Sequence, residues 1–266
     1  MRVLVTNDDG IQAQGIEVLA DAAREVFGDV TVCAPKHEQS GVSQSISLHR
    51  PLRLDELGDD RYVVDGTPVD CVFIALAHIM KTRRPELVLS GINHGPNVGY
   101  DIHYSGTVAG AREGLIHGIP AVAFSLVSRP PYAFDKVRPV VVEVLRRVRD
   151  HGLAPDTLLN VNIPNPNPER EGDWLGIPGL RGMHTTTLGR RFYGNEVVYR
   201  EDPRGRPYFW IGGAWPRIEH IEGTDCESVR QGWVSVTPIG LDVTLTGALD
   251  HFRTWFTSDS LAREPR

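Results

Sequence analysis

The chain opens on a short apolar run, Val3-Leu-Val5, that emerges at once into the polar group Thr6-Asn-Asp-Asp-Gly10. A run this short, without helical periodicity and bounded by turn residues, predicts a buried strand. The period then changes: Ile16, Leu19, Ala20, Ala23, Val26 and Phe27 share one helical face. Val30–Ala34 predicts a second strand, closed by Pro35. Thr67 and Pro68 are residue types of an N-cap and a first helical position, and Cys71, Ile74, Ala75 and Ile79 continue at helical spacing. Strands are predicted at Glu86–Leu89, Ala121–Leu126 and Leu158–Ile163, and helices at Ser105–Gly118 and Val137–Val148. Such alternation, with short connections, predicts an α/β fold with a mostly parallel sheet covered by helices on both faces.

From about residue 165 the pattern is different. Asn165–Gly182 is rich in Pro, Gly and charge and reads as loop. Thr185–Arg200 and Arg206–Gly212 have the character of β-hairpin segments, Gly232–Pro238 of a further strand, and Gly247–Phe256 of a short terminal helix. Trp174, Tyr193, Tyr208, Phe209, Trp210 and Trp215 crowd into this region. They form either a small local core or a projecting arm that buries its aromatics against another subunit. The expected division is a catalytic core at 1–164 and an extension at 165–266.

Composition narrows the function. The 266 residues suffice for a full core, and the formal charge of -6, from 34 acidic and 28 basic side chains, comes with no dense basic block. Binding to a nucleic-acid polymer needs a concentrated positive surface and is not expected. Cys33, Cys71 and Cys226 are far apart and in no metal-binding spacing, as buried thiols in a reducing compartment would be. Met1-Arg2 runs directly into the first strand, and no stretch approaches the roughly 18 apolar residues of a membrane span. The expectation is a soluble cytoplasmic protein without a membrane partner.

Candidate chemistry collects where the predicted strands end. Asp8 and Asp9 stand directly behind the first strand, where open α/β sheets bind ligands. Two adjacent carboxylates in such a place repel each other, and burial raises the cost of ionising both. A hard divalent cation between them is the natural remedy, although Asp-Asp-Gly is also an ordinary solvated turn. The loops Ala34–Gly41 and Ser90–Asn97 follow the next strands, and in a parallel sheet they open on the same edge. Ser40 and Asn93 would add neutral oxygens, giving with Asp8 and Asp9 a donor set of charge -2 suited to Mg²⁺ or Mn²⁺. Ser105-Gly106-Thr107 opens a helix whose first N–H groups lack internal partners, which makes it a candidate anion site as well as a plain cap. His37, His94 and His103 lie in these loops and are of the type that gives a proton to a leaving group. No Walker A sequence and no Gly-x-Gly-x-x-Gly occurs, and the adjacent aspartates do not copy the spaced pair of haloacid-dehalogenase-type phosphatases.

Asn7-Asp-Asp-Gly10, Ala34-Pro35 with Ser40-Gly41, Gly66-Thr-Pro68, Ser90-Gly-Ile-Asn93 with Gly95-Pro-Asn97, and Tyr104-Ser-Gly-Thr-Val108 occur in this order. Asn160-Val-Asn-Ile-Pro164, Gly223-Thr-Asp225 and Val234-Ser-Val-Thr-Pro238 follow. Together these motifs resemble the SurE family of survival proteins, metal-dependent 5'/3'-nucleotidases, over most of the chain. The resemblance implies a Rossmann-like core, a β-rich C-terminal extension and assembly as a homodimer or homotetramer. It implies one divalent cation per subunit, Mg²⁺ or Mn²⁺, on Asp8, Asp9, Ser40 and Asn93. Asp8 and Asp9 would be catalytic, and Gly41, Asn97, Ser105, Gly106 and Thr107 would lie at the phosphate. The implied substrates are nucleoside 5'(3')-monophosphates and, for some members, short polyphosphate. Two rivals stand beside this reading. Metal-dependent deacetylases also place Asp-Asp after a first strand, but with a histidine where Asn7 stands here. A non-catalytic nucleotide sensor or scaffold could keep the same pocket.

Overall fold

The computed structural model describes residues 1–128, 130, 132–165, 180–194, 197–211 and 217–256. In chain order the elements are β1 Arg2–Thr6, α1 Gln14–Phe27, β2 Asp29–Pro35, β3 Leu54–Gly58, β4 Arg61–Val64, α2 Pro68–Ile74, β5 Leu87–His94, α3 Gly106–Ile116, β6 Ala121–Val127, α4 Phe134–His151 and β7 Leu158–Pro164. Then come β8 Gly182–Thr185, β9 Arg191–Phe192, β10 Val197–Glu201, β11 Pro207–Ile211, β12 Arg217–Ile218, α5 Asp225–Arg230, β13 Trp233–Ile239 and α6 Leu249–Phe256. Nine strands make one sheet in the order β3-β4-β2-β1-β5-β6-β7-β13-β8. Its centre, from β4 to β7, is parallel, and β3 and β13 pair antiparallel to β4 and β7.

Strand alternation divides the core into two layers. Val3 and Val5 pack with α1 and α4, whereas Leu4 packs with α2 and α3 on the other face. The expected strands and helices of the first 164 residues are present. The β3–β4 hairpin, which the hydrophobic pattern did not mark, adds an edge: Leu54–Gly58 is mostly exposed and carries little apolar signal. The strand expected at Glu86–Leu89 runs on to His94, so Ser90–His94 is strand rather than loop. The buried side chain of Ile92 and the pairing of Asn93 and His94 with Ser125 and Leu126 carry it that far, past a register shift after Ser90.

Beyond 165 the chain returns to the sheet through β8 and β13. The segment Thr185–Arg200 does not form a single hairpin limb: it holds the end of β8, β9 and the start of β10. β10 and β11 do pair antiparallel, around a turn in which the Asp202 carboxylate accepts N–H groups of Arg204 and Arg206 at 2.8 and 2.9 Å. Tyr208, Phe209, Trp210 and Ile211 on that ribbon are exposed, and Tyr193 is tied to Asp101 instead, so these residues build no local core. Trp174, Trp215 and most of the expected loop at 165–182 fall outside the described residues.

Asp225 fastens this second half to the first. Fully buried, it accepts the N–H groups of Gly99 at 2.8 Å, Gly189 at 2.7 Å and Cys226 at 2.7 Å. Burial pushes its pKa up, and the three donors oppose the rise. Asp225→Ala would leave three buried donors without an acceptor. The expected loss is about 3 kcal/mol of unfolding free energy, read from urea denaturation, with a smaller loss for Asp225→Asn.

Candidate active site

The turn after β1 is built to bury its carboxylates. Asn7 donates its side-chain amide to the Gly10 carbonyl at 2.9 Å, and Gly10 takes φ +98°, which favours glycine. The Asp8 carbonyl accepts the N–H of Gln39 at 2.7 Å, joining this turn to the loop after β2. Asp8 is buried, at 3% exposure, and the Asp9 side chain is 4% exposed although the residue as a whole is half-buried, which rules out a solvated turn for either carboxylate.

The alternation of β1 continues past its end and sends the pair to opposite sides. Asp8 points under the start of α3, where the Thr107 hydroxyl donates to it. Ser105 caps that helix by accepting the Val108 N–H at 3.0 Å. A Cβ on Gly106 would stand 2.8 Å from the Asp8 Cβ and 2.9 Å from its Oδ2, so only glycine lets helix and carboxylate meet. Asp9 points toward the end of β5, bonded by His94 Nδ1 at 3.0 Å and by the His94 backbone N–H at 3.3 Å.

Two cavities flank the pair. One, of about 480 Å³, is lined by Asp8, Ser40, Gly41, Asn93, His94 and Asn97, with Asp101, Ser105 and Tyr193 further along. The other, of about 490 Å³, lies beside Asp9, Glu38 and Tyr132 and shares Ser40 and His94 with the first. Of the four expected metal ligands, Asp8, Ser40 and Asn93 line the first cavity, and Asp9 lines the second, which also reaches Ser40. Ser40 is exposed and donates to Glu38 at 2.8 Å, while Asn93 turns its amide nitrogen to the Gly95 carbonyl at 2.9 Å and leaves its oxygen for a ligand. Of the expected phosphate residues, Gly41, Asn97 and Ser105 line the first cavity. Gly106 and Thr107 lie behind Asp8, and the Thr107 hydroxyl serves that carboxylate. His103 lines a separate cavity, and His37 is exposed.

The supports around the site left weaker marks in the sequence. Asn97 gives its side-chain amide to Ser125 at 2.8 Å, and its backbone is gripped by Asn160 and Asn162 of β7. Polar residues at alternate positions of an otherwise apolar strand were the signal for that grip. Asp70 accepts the N–H of Thr67 and of Ser47, both at 2.9 Å, which pins the loop carrying Ser40 to the N-terminus of α2. Asp101 is bound by Arg191 and by the Tyr193 hydroxyl at 2.8 Å, a pairing across 90 residues that no local pattern announces.

Burial first, and the charge of Asp9 second, push the Asp8 pKa up to about 7. The bond to Asp9 pushes His94 up as well. Among the described residues no lysine or arginine bonds either aspartate. Oxygen donors short of positive charge fit a hard divalent cation better than a nitrogen- or sulfur-seeking metal.

The fold and this cleft define an α/β protein with an acidic, oxygen-lined site at the carboxyl ends of parallel strands. The family model described as Survival protein SurE matches residues 3–195. The chain is 48% identical over its whole length, and over 99% of the relative, to a "5'-nucleotidase SurE" of an Anaeromyxobacter species. It is 44% identical to one of Myxococcus xanthus, covering 99% of this chain and 97% of that relative. The solved structure of a SurE protein from Aquifex aeolicus superposes with a TM-score of 0.80 at 39% identity, over 96% of this chain and 99% of that one. The chain belongs to the SurE family.

The aspartate pair sets a pH dependence. With its folded pKa at about 7, above the ordinary 3.8, the protonated Asp8 contributes stability that is complete below 3.8 and lost as pH rises through about 7. In EDTA-treated protein Asp8→Asn should therefore raise the unfolding free energy at pH 8, by on the order of 3 kcal/mol, with the gain gone at pH 4. Chemical denaturation at the two pH values checks this.

Proposed function

We propose that this protein is a metal-dependent 5'-nucleotidase that hydrolyses nucleoside 5'(3')-monophosphates to nucleoside and phosphate. The observation that carries the reading is the adjacent Asp8 and Asp9: buried Asp8 faces a cavity that also reaches the Ser105 helix cap, and Asp9 faces the neighbouring one. The relatives' shared designation as nucleotidases supports it.

Asp8, Asp9, Ser40 and Asn93 would hold one Mg²⁺ or Mn²⁺. When bound, the cation would polarise a phosphate oxygen and offset the charge that grows in the transition state. The protein's own groups do the rest. Thr107 and His94 fix the two carboxylates in orientation. One of them would take a proton from the attacking water as the P–O bond to the ribose breaks, and the departing ribose oxygen would be protonated from solvent. The start of α3 directs its positive end at the non-bridging oxygens, while Asn97, held by Asn160 and Asn162, sets the wall on which the phosphate rests. Short polyphosphate presents the same terminal group and is a second substrate class for this site. The exposed aromatic face of β10 and β11 fits burial against another copy, in a homodimer or homotetramer, and the 165–266 extension would serve that assembly in the cytoplasm.

Phosphate release from a panel of nucleoside monophosphates should require Mg²⁺ or Mn²⁺ and stop with EDTA. Asp8→Asn and Asp9→Asn should each lower kcat by roughly a thousandfold or more with circular dichroism unchanged. Near-normal turnover by Asp8→Asn in Mn²⁺ would overturn the assignment. Gly106→Ala pushes on Asp8 without removing a donor, and kcat/KM should fall roughly a hundredfold, the scale of an ångström misplacement at a reacting group.

A further inference from the structure

The cavity beside Asp9 has walls unlike those of its neighbour. Gln12, Ala13, Glu38, Ser40, His94 and Tyr132 line it together with Asp9. Two carboxylates there repel a phosphate, and the imidazole is committed to Asp9. What the cavity offers instead is a fixed aromatic surface. The Tyr132 ring stacks on His94 with centroids 4.7 Å apart and planes at 14°. Phe134, itself buried, supports both rings from 5.1 and 5.6 Å. One bond from its ring and one from its backbone N–H tie His94 to Asp9, so the platform is oriented before any ligand arrives. Beside it the Glu38 carboxylate accepts hydrogen bonds, and the Gln12 amide can donate and accept. A planar, uncharged heterocycle with N–H groups on its edge meets all of these walls.

We infer that this second cavity is the nucleobase subsite, with Tyr132 as the stacking residue and Glu38 favouring bases that bear an exocyclic amino group. The inference rests on the nucleotidase reading for its ligand. Ser40 and His94 border both cavities, so a nucleotide can place its phosphate at Asn97 and Ser105 and its base on Tyr132 across the aspartate pair. The chemistry sorts the two ends of the substrate, with anion-binding amides on one side and ring faces and acceptors on the other.

Two readouts test the assignment. Equilibrium binding of adenosine and guanosine, which carry no phosphate to hydrolyse, should weaken roughly 5- to 100-fold in Tyr132→Ala, the range for loss of one base stack, and be restored in Tyr132→Phe. In steady-state assays with Mn²⁺, Tyr132→Ala should lower kcat/KM for nucleoside monophosphates by a similar factor and for ribose 5-phosphate far less. Equal losses on both substrates, or a loss produced by Tyr104→Ala in the first cavity and not by Tyr132→Ala, would overturn the inference. So would wild-type protein that fails to bind either nucleoside. Nucleoside binding that depends on Tyr132, in a protein that releases no phosphate, would uphold the subsite while removing the nucleotidase reading.

Discussion

Everything in this site depends on the contact between the first turn of α3 and the Asp8 carboxylate. A buried carboxylate needs hydrogen-bond donors at close range, yet a helix terminus ordinarily keeps side chains at a distance from its own backbone. Gly106 removes the Cβ that would stand 2.8 Å from Asp8, and Thr107 supplies the hydroxyl. The helix can then lie against the end of β1, and its positive end and the acidic pair share one crevice. The remaining loops are fitted around that contact: Gln39 bonds to the Asp8 carbonyl, and Ser43 to the carbonyl of Tyr104 just before the helix.

The same arrangement keeps the site in electrostatic debt. Asp8 and Asp9 are adjacent, both carboxylates are largely shielded from water, and among the described residues their partners are a hydroxyl, an imidazole and amides. Arginine is available in the fold, but it is used elsewhere, on Asp101 and at surface carboxylates. Such a debt lowers the stability of the protein, and a bound cation would offset it, the familiar exchange of stability for function.

The sequence carried the fold well where the chain is periodic. The run at Val3–Val5, the helical face of α1 and the Thr67-Pro68 start of α2 are local signals, and each forms where the pattern places it. The site was legible for a related reason: in a parallel sheet every loop that follows a strand opens on the same edge, so Asp8, Ser40, Asn93 and Ser105 converge by topology alone. What stayed hidden depends on distance along the chain. The pairing of Asp101 with Arg191, the grip of Asn160 and Asn162 on Asn97, and the service of Thr107 to Asp8 join segments whose local patterns say nothing of one another. The outer strand β3 was missed because an exposed strand has no apolar alternation to read, whereas β4 buries Val63 and Val64 but is only four residues long.

The Asp225 anchor also has a temporal side. The stretch from Asn97 to Ser105 lies between β5 and α3, yet one of its fastenings is a carboxylate more than a hundred residues further along. A ribosome extrudes the aspartate pair, the Ser40 loop and the capped helix long before it reaches that carboxylate. The Gly99 end of the crevice therefore gains that clamp only after residue 225 has been made, and a chain that stops short of it carries the chemical groups of the site without the carboxylate that fastens Gly99.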